Sequence, residues 1–138
     1  MHVLNSLIGI PFVAHGRDAS GLDCWGLVRL AFGRAKGISL PGYDERYLSL
    51  EEREQIAAAL SMEGGKGAPW APVEAGEERA FDVALFRRAG LPSHLGLVVE
   101  PGRMLHVDLG GESCVERYDD GRWAPRLIGF YRHQDLIA

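Results

Sequence analysis

Five short runs rich in β-formers occupy the chain from residue 83 to residue 131: Val83–Phe86, His94–Val99, Arg103–Asp108, Ser113–Tyr118 and Leu127–Tyr131. Pro101-Gly102, Gly110-Gly111 and Asp119-Asp120-Gly121 punctuate them, and turn residues at that spacing favour strands that fold back on one another. The first part of the chain has a helical period instead. Asp23 is a good N-cap, Leu27, Leu30, Ala31 and Arg34 recur along one helix face, Arg34 and Lys36 suit the negative end of the dipole, and Gly37 can close the end. A second helix start, the capping box Ser49-Leu50-Glu51-Glu52, runs on through Leu60. Residues 9–21 and 64–76 are dense in Gly and Pro and read as loops, the second anchored by Trp70. Helices first and strands after predict a segregated α+β domain, with N-terminal helices packed on an antiparallel sheet.

The 138 residues suit a single domain over 1–138, because a chain of this length buries roughly two-thirds of its unfolded surface in one core. A net charge of −4 leaves no basic footprint for nucleic acid or anionic lipid. No segment approaches the roughly 20 apolar residues of a membrane span, and the N-terminus lacks the basic and apolar regions of a signal peptide. Two cysteines, Cys24 and Cys114, in a chain that can build its own core suit a reducing compartment, so a soluble, cytoplasmic product is expected.

Cys24 follows the Asp23 cap, so its thiol sits in the first turn of a helix, where unsatisfied N–H groups and the dipole favour thiolate. A thiolate needs a base, and that base needs a partner to fix its tautomer. His94 and His106 interrupt two adjacent apolar runs. If Glu100-Pro101-Gly102 closes a bulged hairpin, Val99 pairs with Arg103, His94 faces Asp108, and His106 is diagonal to His94 at roughly 7–8 Å between backbones. A two-residue Pro101-Gly102 turn that pairs Glu100 with Arg103 puts the two histidines on opposite faces. His106 and Asp108 are therefore rival orienters of His94. Asp23 reads as a cap or as a carboxylate for a substrate amine, Trp25 as core or substrate contact, and Cys114 as a buried, inert thiol. A zinc site of Cys24, His94, His106 and Asp108 ranks last, because no tightly spaced ligand pair is present. No metal or cofactor is expected.

Pro11-Phe12-Val13-Ala14-His15-Gly16, Leu22-Asp23-Cys24-Trp25-Gly26-Leu27-Val28, Phe81-Asp82-Val83-Ala84-Leu85-Phe86, Ser93-His94-Leu95-Gly96-Leu97-Val98 and Met104-Leu105-His106-Val107 together resemble the ordered motifs of NlpC-type papain-like cysteine peptidases. The resemblance covers about residues 9–132. It implies a circularly rearranged papain-like fold with Cys24 as nucleophile, His94 as base and then acid, His106 as orienter, and the Cys24 N–H as an oxyanion donor. Phe12 stands where many relatives carry a Tyr that helps the oxyanion hole, a loss that His15 could offset. With Asp23 and Trp25, Phe12 completes the expected substrate-binding set. The implied substrate is an amide bond of bacterial cell-wall stem peptides. Trp after the cysteine is similar to the phage tail-assembly branch, which implies tail proteins as partners and a place in the virion tail. The competing expectation is a non-catalytic tail component that keeps the fold.

Overall fold

One turn of helix, α1 (His2–Asn5), leads into a short ribbon of β1 (Arg17–Asp18) against β2 (Gly21–Leu22), and Asp23 then starts the long helix α2 (Cys24–Lys36). The structure is a computed structural model that describes residues 2–13, 17–18, 20–40, 70–88, 91–108 and 110–136. The second expected helix at 49–60 and His15 lie outside the described residues. The ends of α2 are those expected from sequence. The Asp23 carboxylate accepts from the Gly26 amide at 2.7 Å. Gly37, at φ 67°, takes the left-handed cap, and the Gly37 and Ile38 amides return to the Gly33 and Phe32 carbonyls.

Six strands form one antiparallel sheet in the order β3-β8-β4-β5-β6-β7: β3 (Trp70–Val73), β4 (Val83–Arg88), β5 (Leu91–Glu100), β6 (Arg103–His106), β7 (Cys114–Arg117) and β8 (Leu127–His133). All five β-rich runs become strands. β3 corrects the loop expected over 64–76: Trp70 is its buried anchor, but residues 70–73 pair with β8. Pro72 has no N–H to give a ladder, and β3 tolerates it by lying at the sheet edge.

Each face of the sheet is covered. Leu95, Leu97 and Val99 of β5 point into a core shared with Trp25, Leu27, Val28, Ala31 and Phe32 of α2. Ala84, Phe86, Val98, Met104 and Phe130 point the other way, into a second core closed by Tyr118 and Trp123. β5 thus carries the helix on one side while presenting alternate residues to the other.

The β5–β6 hairpin differs from the expected one in where its bulge lies. Glu100 pairs with Arg103 across Pro101-Gly102, with Gly102 at φ 97°, which is the two-residue turn. The extra residue sits one step on: between Val98 and Glu100 the register shifts, and Val98 pairs with Met104 and Leu97 with Leu105. Beyond Val99 this is the register that the bulged turn was expected to give, so His94 and His106 share a face. β6 ends at His106, and Asp108 lies past the strand.

Candidate active site

His94 Nε2 lies 2.9 Å from His106 Nδ1, and His106 Nε2 lies 2.8 Å from Glu116 Oε1. Both rings are buried, at 2% and 1% exposure, whereas Glu116 on β7 is partly open. Burial holds the His106 pKa below the usual imidazole range, and the hydrogen bond and charge of Glu116 only partly oppose it. His106 is therefore neutral near pH 7 and carries one N–H. Burial pushes Glu116 up, but hydrogen bonds from His106 and Arg122 outweigh it and leave the carboxyl below its ordinary value, hence ionised. An ionised carboxylate only accepts, so the His106 proton sits on Nε2 and Nδ1 is left as an acceptor. His94 must then carry a proton on Nε2. Any further proton that His94 gains or gives is at Nδ1.

Trp123 encloses this chain. Its ring stacks on His94 at 4.7 Å and 18°, and meets His106 edge-on at 5.2 Å. Phe86, at 5.2 Å, packs on the same indole. The two histidines are thus fixed in plane and shielded from water, which strengthens the hydrogen bond between them. Neither Glu116 nor Trp123 is singled out in the sequence. Glu116 is diagonal to His106 only because His106 pairs with Cys114 across a long loop, and no turn signal fixes that register. Trp123 stands in an irregular turn without periodicity.

Cys24 is half-buried at the first turn of α2, and α2 packs on β5, the strand of His94. Asp23 caps this turn by accepting from the Gly26 amide. That bond, with Asp23 only 7% exposed, is the cap reading of this residue. Trp25 corrects the substrate-binding expectation: at 1% exposure, edge-on to Trp70 at 6.4 Å, it belongs to the core and presents no surface to a ligand. Phe12 remains partly exposed beside this region. Its amide donates to the Gly111 carbonyl at 2.9 Å, and it bridges to Leu22, two residues before Cys24.

Of the two rivals for His94 Nε2, His106 makes the contact. Asp108 instead lines an open cavity of about 250 Å³ with His106, Glu112, Cys114, Glu116 and Arg122. Cys114 is exposed in this cavity, not buried as expected, because β7 is the outer edge of the sheet. Among the described residues no helix is long and apolar enough to cross a membrane.

Comparison with known proteins matches the NlpC/P60 family over residues 9–132. The chain is 26% identical over 133 residues to the gamma-DL-glutamyl hydrolase of Bacillus subtilis (strain 168), covering 94% of this chain and 27% of that protein. It therefore spans little more than a quarter of that relative's length. Among solved structures it is similar to an NlpC/P60 family protein from Bacillus cereus, with a TM-score of 0.67 and 16% identity over 96% of this chain and 39% of the other. It is also similar to the peptidoglycan hydrolase RipB from Mycobacterium tuberculosis, with a TM-score of 0.58 and 20% identity over 96% and 61% of the two chains. These likenesses establish the α+β papain-like fold.

Proposed function

The chain belongs to the NlpC/P60 family, and from that premise we propose that it is a cysteine hydrolase of amide bonds in bacterial cell-wall stem peptides. The observation that carries this reading is the buried chain His94–His106–Glu116, which leaves Nδ1 of His94 as the one position for proton exchange. Cys24 is the nucleophile. His94 Nδ1 takes its proton, and the thiolate attacks the scissile carbonyl to give a tetrahedral oxyanion, toward which the Cys24 N–H at the start of α2 donates. Collapse breaks the C–N bond, and the leaving amine takes the proton from Nδ1. Water then gives a proton to the same nitrogen and attacks the thioester; collapse breaks the C–S bond, Cys24 takes the proton back from Nδ1, and the acid product leaves. In this cycle His106, Glu116 and Trp123 are positioning residues. Phe12 is the surface residue we assign to substrate contact.

The cell-wall substrate is drawn from the family and from what the peptidoglycan hydrolase neighbour and the γ-glutamyl hydrolase relative act on. A phage tail is the setting suggested by the resemblance around Trp25, and there the same fold without turnover is the second reading. Purified protein incubated with peptidoglycan distinguishes the two. We expect new amino termini from the native chain and a thioester adduct detectable by mass spectrometry, both absent in Cys24→Ala. Cys24 alkylation should persist below about pH 7, whereas a free thiol titrates near 8.5. Equal product from native and Cys24→Ala protein ends the proposal, and tail assembly that tolerates Cys24→Ala without any cleavage supports the scaffold.

A further inference from the structure

The outer edge of the sheet carries a second grouping of reactive side chains. His106 on β6 pairs directly with Cys114 on β7, and Glu116 stands two residues along β7, on the same face. One ligand atom from each of the three lies within 4.8 Å of the others. They open into the cavity that Asp108 also lines. An imidazole nitrogen, a thiol and a carboxylate held this closely by a strand register form the mixed N, S and O set that zinc prefers, with one position left for water or Asp108.

We propose that His106, Cys114 and Glu116 form a binding site for a divalent cation of the zinc type, and that its occupancy switches off the hydrolase of the preceding section, on which reading the regulatory half rests. The argument runs through the position of a proton. A metal at Nε2 of His106 needs the lone pair of that nitrogen, so the single proton of the neutral ring moves to Nδ1. Nδ1–H then donates to His94 Nε2, which loses its own proton, and the His94 proton comes to Nδ1. That nitrogen can no longer accept from Cys24. The proton count of the two rings is unchanged. Cys114 binds as a thiolate, so its thiol proton is the one released to solvent. The guanidinium of Arg122, 3.5 Å from Glu116, is the cation that the metal must displace.

Cobalt(II) is the spectroscopic probe and zinc the effector. In Cys24→Ser protein, which keeps one thiol, cobalt should give a thiolate-to-metal charge-transfer band with unit stoichiometry. The band should vanish in Cys24→Ser/Cys114→Ser. In protein with Cys24 intact, zinc should slow both hydrolysis and Cys24 alkylation. Cys114→Ser should keep the metal-free rate while raising the inhibitory zinc concentration at least tenfold. No cobalt band in the Cys24→Ser protein overturns the site. A band with equal zinc sensitivity in native and Cys114→Ser protein overturns the switch. Failure of the hydrolase reading appears separately, as absence of turnover in metal-free protein.

Discussion

Glu116 decides which nitrogen of two histidines bears a proton, although neither reacting group touches it. Truncation to Ala removes the acceptor of the His106 Nε2–H bond and leaves a buried ring free to adopt either tautomer. We expect Glu116→Ala to lose on the order of 10- to 10²-fold in kcat, by analogy with the outer partners of ligating histidines. KM should hardly move. Glu116→Gln should recover most of the rate, because its amide oxygen can still accept. Steady-state kinetics on the two variants checks this, and an Ala variant as active as Gln removes the positioning role. At this scale the two histidines were legible as candidates, but spacing alone left open whether they share a face, and the bulge at Val99 decides it. Glu116 was not, because its place depends on a register set by packing across a loop.

The β5–β6 hairpin shows why an element can be legible while its detail is not. The apolar runs and Pro101-Gly102 mark the hairpin, but residues 94–99 are all buried, so no alternation of apolar and polar residues fixes the register. Which residue bulges depends on packing, and here it is Val99, leaving the shorter turn intact. Edge strand β3 was hidden for a related reason, because Pro72 breaks the local signal while the neighbouring strand supplies the pairing. Gly96 has a packing role within the hairpin. A Cβ there would fall 2.3 Å from Met104 Sδ and 3.2 Å from Met104 Cβ, and Met104 is fully buried with no room to withdraw. Gly96→Ala should therefore destabilise the fold by about 1–3 kcal/mol. Adding Met104→Ala should cost less in that background than in the native chain, since the two sites share one volume. Denaturant midpoints of the four proteins test the coupling, and strict additivity defeats the close-packing account.

Across the whole molecule, both cores contain buried histidines, and burial lowers the pKa of one on each side. His106 belongs to the face closed by Trp123. His133 packs edge-on against Trp70 at 5.0 Å and near Phe32 at 5.9 Å, on the helix side. Burial lowers the pKa of both, more than Glu116 and Asp135 raise it. The sign of the linkage follows. Where the unfolded chain binds protons at its ordinary value near 6.5 and the folded chain does not, acid favours unfolding. Stability from these two groups is therefore complete above about pH 6.5 and is lost as pH falls through their folded values. Glu78 and Glu116, also held low, add their own loss only further down, below the usual carboxylate value of about 4.3. The melting temperature should thus fall between about pH 7.5 and pH 5, above the range in which Glu78 and Glu116 add their loss. His133→Gln keeps a polar side chain that can accept the Asp135 amide, now at 3.1 Å from Nδ1, and cannot be charged by acid. It should flatten part of that fall, leaving the part that belongs to His106. Melting curves followed by circular dichroism across this range decide the matter: a native Tm independent of pH, or a slope unchanged in His133→Gln, shows that the two buried rings do not govern the acid response.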